Sequence, residues 1–363
     1  MTDKILPASA GPVDPDRRTL LITGAVGATA LGMMALQGKT AMAQATTAWD
    51  KTFAKSDTVD HQKVSFTNRF GITLVGDLYM PAGHSGGSLP ALAMAGPFGA
   101  VKEQASGLYA QTMAERGYVT LAFDPSYTGE SGGEPRFVAS PDINTEDFMA
   151  AVDFLGLHPA VDRARIGVIG ICGFGGFALN AVAADKRVKA VTVTSMYDMS
   201  RVNARGYFDA MTAEDRAKEL KRLSLQRWAD AASGAPPALA GGLPDSLDGI
   251  DNPVISMYWQ YYKTERGYHP RSVNSNGGWN ITSAISFMNT PQLTYIDEIS
   301  PRPALIIAGS EAHSRYFSED AYAAAAEPKE LVIIDGADHV DLYDQIDIIP
   351  FDRIQGFFDT HLA

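Results

Sequence analysis

Short apolar runs punctuated by Gly, Pro and Asp recur along most of this chain, and amphipathic stretches fill the spaces between them. Ala91–Ala95, Val119–Phe123, Ile166–Ile171, Val188–Thr194, Ala304–Ala308 and Leu331–Ile334 are short and almost wholly apolar, the pattern of strands buried on both faces. Glu103–Arg116, Glu146–His158 and Phe177–Asp185 carry their apolar residues at helical spacing. Strands that alternate with helices in this way predict the α/β class, with a mainly parallel central sheet covered by helices on both faces. Ahead of the alternation, Val64–Phe70 and Ile72–Met80 are joined through Gly71 as a hairpin would be.

One interval breaks the rhythm. From about Met199 to Thr290 no run of the same type appears. A charged helical stretch, Ala213–Ala231, is followed by a Gly/Pro-rich segment, Gly234–Pro253, and by the aromatic cluster Tyr258-Trp259-Gln260-Tyr261-Tyr262. The interval is too long for a connector and is expected to be an inserted cap. The resulting division is a lead-in at 44–63, a core formed by 64–197 and 291–363, and a cap at 198–290.

Residues 1–43 are set apart as an address. Arg17-Arg18 precede the weakly apolar run Leu20–Leu36, then Lys39, then Ala41-Met42-Ala43. A twin-arginine pair, a Gly/Ala-rich apolar run and a small-x-small cleavage site suggest a Tat-type signal peptide. The expected partner is the Tat export machinery, and the expected location is the periplasm or the outside of the cell. The competing reading is a membrane anchor, but the run falls short of the ~20 strongly apolar residues a span needs. The mature chain would then not be membrane-embedded.

Charge and composition narrow the chemistry. The 363 residues carry a formal net charge of -12 without a basic stripe, which argues against nucleic acid as a partner. There is no GxGxxG after a strand, no P-loop, no CxxC and no HExxH, so no cofactor is expected. A single cysteine excludes an intramolecular disulfide.

That cysteine lies in Gly170-Ile171-Cys172-Gly173-Phe174-Gly175-Gly176, where an apolar run turns into a helical pattern. Such a turn holds a nucleophile in a strained conformation, and its neighbours are small so that strand and helix can approach. The helix N-terminus behind the sulfur is expected to lower the thiol pKa and favour a thiolate. A buried structural cysteine and a phosphate loop are the competing readings. The GxGxxG spacing is absent, which counts against the second. After the last apolar run, Asp335-Gly336-Ala337-Asp338-His339 places a histidine where a general base would follow the nucleophile in chain order. Negative charge developing on a substrate carbonyl oxygen needs two backbone donors. Gly173 follows the nucleophile, and Phe98 is the choice from Gly96-Pro97-Phe98-Gly99-Ala100 because Pro97 has no N–H.

The elbow with cysteine, Val101-Lys102-Glu103, and Asp124-Pro125-Ser126-Tyr127-Thr128-Gly129-Glu130-Ser131-Gly132-Gly133 resemble the dienelactone-hydrolase-related α/β hydrolases. That group includes polyketide transferase and thiohydrolase-like proteins and Xaa-Pro-peptidase-like relatives. The resemblance covers roughly residues 64 to 363 and implies the α/β-hydrolase fold, a small-molecule ester, lactone or thioester substrate, and no cofactor or metal. In such proteins an acid usually follows the strand after the cap, but here Ala312 occupies that position. Asp198, after the strand next to the elbow, is the preferred acid, and Glu311 is the alternative. Tyr127, Tyr258, Trp259 and His313 are candidate pocket residues. The expected chemistry is acyl transfer to water through Cys172 and His339. An acyltransferase using the same intermediate and a non-catalytic exported binding protein are the rivals.

Overall fold

The computed structural model describes residues 49–363, so the expected signal peptide at 1–43 lies outside the described residues. Eight strands form one sheet: β1 (Val59–Thr67), β2 (Thr73–Pro81), β3 (Leu89–Ala95), β4 (Val119–Phe123), β5 (Val161–Ile171), β6 (Ala190–Thr194), β7 (Ala304–Gly309) and β8 (Lys329–Ile334). Their order is β1-β2-β4-β3-β5-β6-β7-β8. The first two pairings are antiparallel and the rest parallel. Every residue of β4, β6 and β7 is buried, whereas β1 at the edge alternates. This is why the central strands read as unbroken apolar runs.

Helices α1 (Ala105–Glu115), α2 (Pro141–Leu157) and α3 (Gly173–Ala184) connect the central strands. Between β6 and β7 lie α4 (Met199–Arg205), α5 (Ala213–Ser233), α6 (Pro253–Tyr262), α7 (Val273–Asn276) and α8 (Ala284–Asn289). The chain ends with α9 (Arg315–Ala324), α10 (Asp341–Asp344) and α11 (Phe351–His361). Successive β5 residues show the two covered faces: Ile166 lies near Gly156 of α2, while its neighbour Gly167 faces Phe358 of α11.

Two boundaries differ from the sequence pattern for local reasons. Helix α2 starts five residues earlier than its apolar spacing suggests, because Ser140 caps the Ile143 N–H and Pro141 opens the first turn. The expected lead-in has no helix or strand over 49–58 but is tied down at Lys51, and its last residues belong to the sheet. Strand β1 already begins at Val59, and the side chain of Lys51 is 2% exposed against Asp77, at 2.7 Å.

Candidate active site

Parallel strands present their following loops at one edge, and five such loops build the site. Phe98 follows β3, Cys172 follows β5, Tyr197 follows β6, Ser314 follows β7 and His339 follows β8. Cys172 joins β5 directly to α3 with φ 55° and ψ −126°, a positive φ that a residue other than glycine adopts only under strain. Close approach explains the glycines: a Cβ on Gly175 would come within 2.6 Å of the Met196 Cβ. Phe174, which occupies a position usually small in such turns, is buried beside Phe177 with ring centroids 4.7 Å apart.

His339 is fully buried, and its Nε2 lies 3.4 Å from the Cys172 sulfur. The same nitrogen is 2.8 Å from the Tyr343 hydroxyl, which also lies against the sulfur. On the other side of the ring, Nδ1 is 2.5 Å from the Ser314 hydroxyl. The peptide is held as well, since the Ser195 hydroxyl donates to the His339 carbonyl at 3.0 Å.

Neither expected acid reaches the imidazole. Asp198 caps α4 instead, accepting from the Arg201 N–H at 2.9 Å and the Ser200 hydroxyl at 2.5 Å. Glu311 is exposed and accepts from its neighbour Ser310 at 3.1 Å. The loop after β7 turns so that Ser314, two residues past buried Ala312, takes the place where a carboxylate was sought. Sequence reasoning missed Ser314 and Tyr343. For Tyr343 the usable signal was its spacing, one helical turn beyond His339. For Ser314 it was a hydroxyl close after the expected acid position.

Protonation also differs from expectation. Burial pushes the Cys172 thiol above its ordinary value, although Tyr343 and the N–H groups of Gly173 and Phe98 point at the sulfur and pull the other way. Burial, with neighbouring His313 adding to it, holds His339 well below the usual histidine range. Both shifts run against the expectation of a lowered thiol pKa and favour a neutral thiol beside a neutral imidazole over a thiolate–imidazolium pair. The Gly173 and Phe98 amides converge on the Cys172 sulfur.

The cavity at Cys172 has a volume of about 200 Å³. Its wall is Phe98, Met199, Leu243, Asn274 and the tyrosines at 197, 207, 258, 262 and 343, and none of these side chains is ionised near neutral pH. Of the candidate pocket residues, Tyr258 lies in the wall and His313 stands behind it, hydrogen-bonded to the Tyr197 hydroxyl. Tyr127 and Trp259 do not contribute to it; the Tyr127 ring covers Gly133 in the loop after β4. Among the described residues, no cluster of three or more His, Cys, Asp or Glu side chains is arranged to hold a metal ion.

The Phe98 loop is fixed from two directions. From the β6–β7 interval, Asn274 donates to the Phe98 carbonyl at 2.8 Å, and Trp279 stacks on the Phe98 ring at 4.2 Å between centroids. Gly99 has φ +92°, and a Cβ there would collide with the Asn274 side chain. From behind, fully buried Lys102 reaches Glu103 at 2.6 Å, Asp124 at 2.9 Å and Glu130 at 2.6 Å. Arg271 closes the cluster on Glu103 at 2.7 Å and Asp50 at 2.8 Å.

Residues 71–241 match a family model described as X-Pro dipeptidyl-peptidase (S15 family). The chain is 65% identical over 320 residues to the uncharacterized protein PA2218 of Pseudomonas aeruginosa, a match covering 88% of this chain and 85% of that protein. The crystal structure of that protein matches with a TM-score of 0.85, covering 88% of this chain and 98% of the other. Identity to the uncharacterized protein YcjY of Escherichia coli is 35% over 289 residues, or 78% of this chain and 93% of that one. The polyketide transferase grgF of Penicillium sp. is 26% identical over 85% of this chain and 99% of its own length. Its solved structure, of an alpha/beta hydrolase, has a TM-score of 0.66 at 24% identity over 84% of this chain and 99% of the other, a likeness of fold.

Proposed function

The chain belongs to the α/β-hydrolase superfamily, in the family it shares with PA2218 and YcjY, and from that premise we propose that it is a cofactor-independent acyl hydrolase with Cys172 as nucleophile. The supporting observation is the lone thiol at a strained turn, 3.4 Å from a buried imidazole and facing two main-chain amides. Because both partners rest uncharged, His339 Nε2 takes the thiol proton as the sulfur bonds to the carbonyl carbon. The carbonyl oxygen gains negative charge between the amides of Phe98 and Gly173. Collapse breaks the bond to the leaving oxygen or sulfur, which takes the proton from His339. Water then gives a proton to the same nitrogen, attacks the thioester and releases the acid, and the proton returns to Cys172.

The wall supports a reading of the substrate class. A peptide with a free amino terminus brings a cation that needs a carboxylate near the scissile bond, and the cavity has none. The reading is therefore an ester, lactone or thioester of a small neutral acyl group rather than a dipeptide. Transfer to an alcohol or amine acceptor uses the same acyl-enzyme, and the name of the Penicillium relative, a polyketide transferase, keeps that reading open.

The deciding experiment presents purified protein with aryl esters, lactones and thioesters, then quenches and measures mass. An acyl adduct on Cys172, absent from Cys172→Ala, is expected; turnover with no adduct, or an active Cys172→Ala, overturns the nucleophile. A non-catalytic binding protein would give neither adduct nor turnover. Slow thiol alkylation near neutral pH does not separate the two, because burial suppresses the thiolate in either case. The proposal also places the enzyme outside the cytoplasm through Arg17-Arg18. N-terminal sequencing should find the exported chain starting at Gln44, and paired Arg17→Lys and Arg18→Lys changes should stop export.

A further inference from the structure

Four polar groups beside the nucleophile take no part in the acyl-transfer chemistry. The Tyr197 hydroxyl is their hub, 3.0 Å from the Tyr207 hydroxyl and 3.2 Å from the Tyr258 hydroxyl, and hydrogen-bonded to His313 Nε2. All three tyrosines line the cavity that holds Cys172. The cluster is packed onto the base, with ring centroids of Tyr197, Tyr258 and His313 at 5.2, 5.5 and 5.0 Å from His339. Tyr207 is 44% exposed, so the cluster spans from the entrance of the cavity to the base.

Proton counting shows why this is more than packing. A phenol can donate once and accept twice, and a neutral imidazole has one donor and one acceptor. With Nε2 unprotonated, Tyr197 donates to it, Tyr207 and Tyr258 both donate to Tyr197, and only lone pairs face the cavity. With Nε2 protonated, it donates to Tyr197, which donates to one neighbouring phenol while the other donates back. The phenol that accepts then has its own O–H free. Among the described residues, the Tyr207 and Tyr258 hydroxyls have no other hydrogen-bond partner, and both residues line the cavity, so this spare capacity is available to a ligand there. Changing the His313 tautomer thus switches the wall between acceptor and donor, with no charge created.

We propose that Tyr197, Tyr207, Tyr258 and His313 form a subsite for an uncharged oxygen on the acyl group, a hydroxyl or a keto oxygen, so that the preferred substrates are small hydroxy- or oxo-acyl esters or thioesters. A hydroxyl would donate to the lone pairs in one state, and a carbonyl would accept the free O–H in the other. A carboxylate or an ammonium would find no counterion there. His313 supports the neutral form, since burial holds it down to about 4. The proposal rests on the acyl-transfer reading for its substrates but not for its binding geometry.

Two measurements separate the two. The first is the ratio of kcat/KM for matched 4-nitrophenyl esters bearing a hydroxyl, a keto group, a carboxylate or no substituent on acyl chains of equal length. Wild type should prefer the hydroxy and keto esters over the plain ester by about tenfold, the size of one net neutral hydrogen bond, and should reject the carboxylate. In Tyr207→Phe and Tyr258→Phe that ratio should fall toward one; because it is taken within each variant, a general loss of activity cancels. The second is calorimetry with Cys172→Ala and matched primary amides, hydroxylated or plain, which reads binding without turnover. Equal affinity for the two amides, or a preference that survives both Tyr→Phe changes, overturns the subsite. A binding preference lost in the phenylalanine variants, with no ester turned over, would retain the subsite and sink the acyl-transfer reading.

Discussion

Two polar clusters, each with a buried centre, meet at the Phe98 loop, and they are built of opposite materials. Behind the loop, Lys51, Lys102 and Arg271 are set among Asp50, Asp77, Glu103, Asp124 and Glu130. In front of it, Cys172, His339, Ser314, Tyr343 and the tyrosine–His313 cluster include no carboxylate, lysine or arginine. Burial acts on both, but its outcome differs. Burial raises Glu130, yet the lysines at 102 and 63 hold it down to about 2; nothing comparable holds the Cys172–His339 pair charged, and it stays neutral. Buried ions bind each other in a fixed geometry and suit a scaffold. Groups that must exchange a proton in each cycle are better left uncharged at rest, with charge appearing only as bonds change. The cluster that holds the Phe98 loop is thus charged, while the groups around Cys172 and His339 in the cavity are not.

The largest effect expected is on the uncharged side. Cys172→Ala and His339→Ala should each lower kcat by on the order of 10⁴-fold or more, since nucleophile and base act as one unit. Cys172→Ala should leave urea stability within about 1 kcal/mol of wild type, because only a small group is lost. The next largest is on the charged side. Lys102→Met leaves Glu103, Asp124 and Glu130 facing one another without their shared cation, and should destabilise the fold by about 3–5 kcal/mol in urea titration. The comparison breaks if Lys102→Met unfolds at the wild-type midpoint but moves the pH profile of Cys172 alkylation.

How far each side was legible in the sequence follows from the same physics. The sheet and the elbow were readable because strands covered on both faces must be apolar throughout, and a strand running straight into a helix crowds its neighbours until glycine is required. His339 was readable from its place after the last strand. The charged cluster was not, because Lys51, Asp77, Lys102, Asp124 and Arg271 come from separate segments and each alone resembles a solvated side chain. Val101-Lys102-Glu103 and Asp124–Gly133 signalled a family through what turns out to be this scaffold, not through reacting groups. The protonation state was misread because a helix N-terminus is visible in sequence, whereas the degree of burial that outweighs it is not. Ser314 was passed over because an acid was sought: its hydroxyl lies close after the expected acid position in the sequence, but the turn of the loop after β7 is what brings it to the ring.

A smaller effect probes Tyr343, the group that touches both sulfur and base. Tyr343→Phe should lower kcat by about 10-fold to 10²-fold, a range typical of one group assisting proton movement or charge stabilisation. The pH dependence carries the sign. His339 must be unprotonated to act, and its pKa is depressed, so wild-type kcat/KM should stay level as pH falls through 6.5 and decline only well below it. Alkylation by iodoacetamide should be slow at neutral pH and rise only above the ordinary thiol range, because the Cys172 pKa is raised. Removing the Tyr343 donor should push that rise to still higher pH; superimposable alkylation curves for wild type and Tyr343→Phe would show that the hydroxyl only packs.

The smallest effect tests whether the neutrality of the site is a choice or an accident of packing. Ser314 gives His339 Nδ1 a neutral partner at 2.5 Å. Such a partner orients the ring and fixes its tautomer, but it stabilises an imidazolium much less than a carboxylate does. Ser314→Ala should therefore lower kcat by only about threefold to tenfold, near one net hydrogen bond. Asp198→Asn and Glu311→Gln should change kcat less than that, since neither carboxylate touches the histidine. Ser314→Asp sharpens the comparison by bringing to the site the type of charge that the fold keeps behind the loop. A carboxylate at Nδ1 favours the protonated ring, which in turn favours the thiolate. Alkylation at neutral pH should then speed up relative to wild type, while the acid limb of kcat/KM moves toward neutrality because the base becomes easier to protonate. If Ser314→Asp folds and leaves both profiles in place, Nδ1 does not control the charge of the pair, and the contrast between the two clusters would not extend to the chemistry. If Asp198→Asn instead moves them, the acid acts through a rearrangement that brings it to the ring, and the neutral-pair mechanism fails.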